Sequence, residues 1–297
     1  MLTCPSEPAA LPCPCCLTEQ RQGLDVWHHI CPNCAYESAQ FSNAINLAHA
    51  SLSESRRADG LRALRESNFR ELLRLLTPHL TDRHQRLLEV GCGHGWFLEL
   101  AAQRFAVVGI EPDEQIFQLA RAKGLPVVAG YFPAALRPDE RFDVMVFNDV
   151  LEHIPDPQAT LLACHAALSP DGLLVLNLPT SKGLFYVLAK VGRRLGLGAA
   201  FERLWQKGFP SPHLHYFDRS NLAQLLQGCG FLVCANGSLP SIRLQGLYNR
   251  IAYASPGKPV QHGLLWLALL LCYPLVKWLP SDAMLVLAVR RDDPPEA

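Results

Sequence analysis

One stretch constrains this chain more than any other: residues 87–95 read Leu-Leu-Glu-Val-Gly-Cys-Gly-His-Gly. Apolar residues followed by glycines at alternate positions, Gly91, Gly93 and Gly95, predict a buried strand that turns tightly into a helix. The missing Cβ atoms let the backbone approach a bound molecule closely, so the chain is shaped to hold a nucleotide-like ligand.

Spacing and charge narrow the ligand. The dinucleotide fingerprint puts its third glycine where this chain has Trp96. Glu89, inside the predicted strand, would sit badly beside a pyrophosphate but pairs well with a cation. S-adenosylmethionine, with its positive amino and sulfonium groups, therefore fits better than NAD. A second apolar run at 106–110 ends in Glu111, Pro112 and Asp113, which places a carboxylate where a ribose diol would be held. A third run, 142–147, leads into Asn148, Asp149, Val150, Leu151, Glu152 and His153, and a turn at 169–172 leads into a buried strand at 173–178.

In this order the four pieces resemble the class I S-adenosylmethionine-dependent methyltransferases, most closely the branch with the ubiquinone-pathway O-methyltransferases and many glycan-cluster enzymes. The resemblance covers 87–231. It implies a doubly wound, Rossmann-like α/β fold with a seven-stranded sheet. It also implies a cofactor site: Glu89, Gly91 and Gly93 on the methionine part with Gly95 in the same turn, Glu111 on the ribose hydroxyls, and Asn148 and Val150 reaching the cofactor from the end of the 142–147 strand.

No basic segment followed by an apolar run opens the chain, so a cytoplasmic location is expected, and there eleven cysteines need an explanation other than disulfides. Cys13-Pro-Cys-Cys16 and Cys31-Pro-Asn-Cys34 each aim two thiolates at one point, and together they offer a closed tetrahedral Zn2+ site. Cys13, Cys16, Cys31 and Cys34 are thus the candidate ligands of a structural zinc ribbon. Reduced free thiols are the alternative, and Cys4, Cys15, His28 and His29 are alternative ligands. The cysteines at 92, 164, 229, 234 and 272 lie among apolar residues and read as core fillers. The chain divides into a ribbon at 1–40, a helical linker at 41–80, and a methyltransferase domain at 81–297 with substrate-side insertions near 181–217 and 240–281.

Helices are expected within 51–80, at 115–123 and 158–168, and at 218–227 with Ser220 as cap, and the last two strands at 231–234 and 284–289. Net charge is zero but unevenly spread: 181–260 holds ten Lys and Arg against two acids, and 81–180 seven against thirteen. A basic substrate side points to phosphate on the acceptor or an anionic membrane surface. Residues 183–197 strengthen this as a basic amphipathic helix, with Lys190, Arg193 and Arg194 on an arc apart from Leu184, Val187, Leu188, Val191 and Leu195. A lid helix on the domain is the plainer reading. The apolar run 263–280, broken by Pro274 and Lys277, reads as a helix lying on a membrane or on the domain; a span would strand 284–289 on the wrong side of the bilayer.

Methyl transfer asks the protein to align the nucleophile, exclude water and remove a proton. The candidate bases are His153, His213 and His215, since imidazole titrates near neutrality. Glu152 and His153 alone lack a second histidine at metal-ligand spacing. The leading function is methyl transfer to a small-molecule, glycan or lipid-linked acceptor at a cytoplasmic site, in solution or peripheral to a membrane. An RNA methyltransferase and a non-catalytic cofactor-binding scaffold at a membrane stay open; neutral charge counts against nucleic acid.

Overall fold

The computed structural model describes residues 11–45, 54–254, 259–276 and 278–291; Cys4 and Lys277 lie outside them. The chain begins with three short strands, β1 (Arg21–Gln22), β2 (His28–Ile30) and β3 (Glu37–Ala39), followed by the long helix α1 (Glu54–Leu76). An alternating run follows: β4 (Arg86–Val90), α2 (Trp96–Ala101), β5 (Ala106–Glu111), α3 (Glu114–Ala122), β6 (Val127–Ala129), β7 (Phe142–Asn148), α4 (Pro157–Ala167) and β8 (Leu168–Pro179). The chain then passes through α5 (Leu184–Arg194), α6 (Ala199–Leu204), β9 (His215–Tyr216), α7 (Arg219–Gly228), β10 (Phe231–Leu239), α8 (Leu247–Ala254), α9 (Pro259–Val276) and β11 (Ala283–Arg290).

Seven strands form one sheet in the order β10-β11-β8-β7-β4-β5-β6. β11 is antiparallel to both neighbours, and β8, β7, β4, β5 and β6 pair in parallel. The reversal of strand order at β4 opens a crevice outside the carboxyl ends of β4 and β7, where this architecture binds ligands. The sheet is buried on both faces, so its central strands are almost wholly apolar. Leu88, Val90, Met145 and Phe147 point into one core layer, and Leu87, Val144 and Val146 into the other. Leu72 and Leu76 bring α1 into that second layer. Between β7 and β8 the ladder passes from Phe142↔Leu168 to Val144↔Leu173, so 169–172 forms the expected turn within β8, with Asp171 at φ 61°.

The first three strands form a separate antiparallel sheet, and β9 joins its edge through Glu37↔Tyr216 and Ser38↔His215. Cys13, Cys15, Cys31 and Tyr36 share a core with Phe217, Leu222 and Leu225, so the ribbon packs into the larger domain.

Several local expectations are corrected. Asp218, not Ser220, caps α7: its carboxylate accepts from the N–H groups of Ser220 and Asn221, and the Asn221 side chain accepts from the Asp218 N–H. Cys92, Cys164 and Cys229 are buried fillers, whereas Cys234 and Cys272 are exposed. The basic amphipathic helix at 184–194 lies inside out, because Lys190 and Arg193 face the ribbon and pair with Glu37 and Asp25, while Leu188, Val191 and Leu195 face outward. Helix α9 packs Trp266, Leu269 and Tyr273 on Ile242, Leu247 and Ile251 of the preceding segment. Among the described residues no helix is long and apolar enough to cross a membrane.

Candidate functional site

The glycine turn leaves β4 by hanging on β5: the Gly91 and Cys92 N–H groups both donate to the Ile110 carbonyl, at 2.8 and 3.0 Å. Gly91 and Gly93 have φ of +68° and +54°, a region unfavourable to residues with a Cβ. Their surroundings differ. A Cβ on Gly91 would come within 2.6 Å of Val150, so this glycine lets the β7 loop close on the turn. A Cβ on Gly93 would meet nothing within 4 Å and would project into open space at the crevice. Gly95, at φ +75°, packs beside Leu125, whose Cδ1 would lie 2.1 Å from an added Cβ.

Two carboxylates flank the turn. Glu89 is buried, and one of its oxygens accepts from the Asn148 amide at 2.9 Å, while Asn177 donates to Asn148 behind it. Its other oxygen, Oε2, is buried with no hydrogen-bond partner. Burial pushes the Glu89 pKa up to about 8. Asn148 thereby holds Glu89 in place. Glu111 accepts from the Gly93 N–H at 2.8 Å and from the Asp113 N–H at 2.9 Å, which braces the turn and sets its carboxylate at the end of β5.

A cationic amino acid end suits this cradle, because it would pair with the orphaned Glu89 oxygen. The sign of the pH effect follows. Below about pH 8 Glu89 holds a proton in the empty cradle, and a bound ammonium favours the carboxylate, so binding releases that proton. S-adenosylhomocysteine affinity is expected to rise between about pH 6 and about pH 8, by up to roughly tenfold per unit. Calorimetry in buffers of different ionisation enthalpy would register the released proton, and Glu89→Gln should abolish both effects.

Beyond Asn148 the chain makes a short turn, Leu151–His153, against the segment 212–216. The His153 Nδ1 lies 2.8 Å from the Pro212 carbonyl, which can only accept, so Nδ1 carries the proton and Nε2 is the basic nitrogen. His213 packs edge-on, with ring centroids 4.7 Å apart, and burial holds its pKa well below the usual histidine range. Glu152 is fully buried, and both its oxygens lack a hydrogen-bond partner. Burial pushes its pKa well up. Ligand atoms of Glu152, His153 and His213 all lie within 4.8 Å of one another. The trio offers a cation one carboxylate and two imidazoles, a set that local spacing had argued against because its second histidine arrives from sixty residues away.

His215 is withdrawn as a candidate base. Its Nε2 lies 2.7 Å from the Ile154 carbonyl and must donate, so Nδ1 accepts from the Tyr36 hydroxyl. Both ring nitrogens are engaged, and burial holds the pKa at about 4. Arg65 of α1, a residue with no local sequence signal, pairs with Asp149 beside this turn at 3.3 Å.

In the ribbon, Sγ of Cys13 lies 3.5 Å from that of Cys34, and Sγ of Cys16 lies 3.4 Å from that of Cys31. All four thiols fall within 4.8 Å of one another, against about 3.7 Å between sulfurs in a tetrahedron of ~2.3 Å Zn–S bonds. A hydrogen bond from Cys15 helps lower the Cys13 pKa to about 5. Cys15 itself has its pKa raised, chiefly by that bond, and His28 is engaged by Glu37 and the Leu24 N–H, so neither joins the set.

Sheet order, glycine turn and flanking carboxylates define a Rossmann-like methyltransferase fold, and the comparisons with known proteins agree. The model of the methyltransferase domain family matches residues 61–235. The chain belongs to the class I S-adenosylmethionine-dependent methyltransferase family. It is 31% identical over 143 residues to the ubiquinone biosynthesis O-methyltransferase of Stutzerimonas stutzeri, covering 43% of this chain and 62% of that protein. It is 33% identical over 116 residues to the enzyme of the same name from Pseudomonas aeruginosa, covering 36% of this chain and 50% of that protein. The chain thus spans less than two thirds of either relative. A methyltransferase structure from Archaeoglobus fulgidus superposes with a TM-score of 0.52 at 18% identity, over 80% of this chain and 99% of that one, a likeness of fold.

Proposed function

We propose that this protein transfers the methyl group of S-adenosylmethionine to a hydroxyl of a small-molecule acceptor, with His153 taking the acceptor's proton. S-adenosylmethionine supplies an already activated methyl group. Glu89, Gly91, Gly93 and Glu111 would hold it, with Val150 closing on the turn. The observation that carries the reading is the fixed tautomer of His153, whose Pro212 hydrogen bond leaves Nε2 basic just beyond the cofactor turn. The O-methyltransferase names of its relatives support a hydroxyl acceptor. Purified protein incubated with methyl-labelled S-adenosylmethionine and a panel of catechols and polyprenylated phenols tests it; label in no phenol would sink the hydroxyl reading.

RNA is disfavoured by the zero net charge, and also because the ribbon sheet gives its β3 edge to β9. The scaffold reading is disfavoured by the basic nitrogen held beside the cradle at His153, which cofactor binding alone does not need. We also propose that Cys13, Cys16, Cys31 and Cys34 hold a structural Zn2+, and that the acceptor is lipid-linked and met at an anionic membrane. The inside-out α5 presents Leu188 and Leu195, α9 presents Leu264 and Leu271, and Trp278 is 90% exposed. The Leu184 N–H donates to the Pro280 carbonyl, which brings the start of α5 next to the end of the Trp278 segment. The protein should float with phosphatidylglycerol vesicles, and Leu188→Glu with Leu271→Glu should cut the bound fraction at least fivefold. Equal recovery of the two proteins would remove the membrane from the reading.

A further inference from the structure

The ribbon reaches the acceptor side of the site through a continuous set of contacts. Strand β3 starts three residues after Cys34 and pairs with β9, the strand that contains His215. The Tyr36 hydroxyl donates to His215, and His215 donates to the Ile154 carbonyl, at the end of the turn that carries His153. Asn43, just beyond the ribbon strands, donates to the His153 carbonyl at 2.7 Å. On the β9 side, the Ala39 N–H donates to the Leu214 carbonyl, and the Leu214 N–H donates to the Glu152 carbonyl at 2.7 Å. The His153 turn is thereby tied at residues 152, 153 and 154 to the ribbon or to the strand the ribbon pairs with.

A second branch leaves from Glu37. This buried carboxylate accepts from the Tyr186 hydroxyl at 2.8 Å and from Lys190 at 2.6 Å, both on α5, and it also bonds His28 within the ribbon. Its pKa is lowered, because the bonds to His28 and Lys190 outweigh burial. Arg193 adds a pair with Asp25. By contrast, no such bond joins the ribbon to the glycine turn among the described residues. That turn is braced by Ile110 and Glu111 of β5 and by Lys123, which donates to the His94 carbonyl at 2.8 Å.

We propose that the ribbon is a positioning clamp for the acceptor half of the site, with Tyr36 acting on the His153 turn through His215 and Glu37 holding α5 against the ribbon and β9. The cofactor half is built without it. The proposal rests on the reading of His153 as the acceptor-side base, and neither Tyr36 nor Glu37 touches the reacting atoms. Acceptor-side order is therefore set by the ribbon and, through Cys31 and Cys34, by the metal those thiols would hold.

The test uses full-length protein as purified, with zinc content measured, and asks for effects on one half of the site only. Tyr36→Phe keeps the ring but removes the hydroxyl. It is expected to retain zinc and to bind S-adenosylhomocysteine within twofold of wild type. In it, the 15N resonance of His215 Nδ1 should shift as that nitrogen loses its donor while Nε2 keeps the Ile154 carbonyl, and amide exchange at 151–155 and 213–217 should quicken at least tenfold. Exchange in β4 and β5 should not change. Glu37→Gln should give the same selectivity over α5, and stripping zinc with a chelator should reproduce both patterns. Unaltered histidine resonances and exchange in Tyr36→Phe would overturn the proposal, as would a parallel loss of S-adenosylhomocysteine affinity. If the protein holds no zinc yet Tyr36→Phe behaves as expected, the metal reading fails and the clamp stands. If the clamp signals appear but His153→Gln leaves methyl transfer intact, the base assignment fails instead.

Discussion

Gly93→Leu is expected to weaken S-adenosylhomocysteine binding at least a hundredfold, a loss of about 3 kcal/mol, while the protein still folds. Two effects act together. The residue sits at φ +54°, where an L side chain costs roughly 1–2 kcal/mol, and the new side chain would project into the open space that the turn borders. No protein atom lies within 4 Å of the added Cβ, so the substitution blocks the cradle without disturbing the core. Gly95→Ala is the matching control. Its Cβ would strike Leu125, so it should lower the melting temperature more than Gly93→Leu does. Calorimetric titration and thermal melts of the two variants decide the matter, and micromolar binding by Gly93→Leu would refute the placement of the cofactor.

His153→Gln is expected to lower kcat by about 10²- to 10⁴-fold, the range for removing a positioned general base, with the KM for S-adenosylmethionine nearly unchanged. Glutamine can still donate to the Pro212 carbonyl, so the turn should keep its shape while losing the basic nitrogen. The His213→Gln variant separates roles. His213 is buried and held neutral, so its loss should act through the packing of His153 and cost less than loss of His153 itself. Steady-state rates with whichever phenol accepts label provide the check. Equal rates for wild type and His153→Gln would move the proton to another group, and Glu152, buried with its pKa well up, would be the next to test.

Legibility in the sequence followed the range of the interactions. The central strands were readable because a sheet covered on both faces needs uninterrupted apolar runs, as at 142–147 and 173–178. The glycine turn was readable because positive φ leaves a mark in single residues. The paired Cys-x-x-Cys turns were readable for a similar reason, since each closes two thiols within one local turn. The orientation of helix α5 was not legible. Its periodicity showed two arcs, but which arc faces inward depends on Glu37 and Asp25 in the ribbon, more than 150 residues away.

The same division runs through the site. By itself the sequence determined the α/β class, the strand that carries Glu89, the glycines that open the turn, the carboxylate at Glu111 and the four cysteines, because each depends on contacts a few residues apart. Tertiary structure decided which histidine has a basic nitrogen, which is locked on both sides, and that Glu152, His153 and His213 converge. It also decided that the ribbon sheet pairs, through β3 and β9, with the segment beside the His153 turn. Those outcomes turn on hydrogen bonds and burial between segments 60 to 180 residues apart, and a ring's tautomer or a carboxylate's charge is set by the partner that arrives.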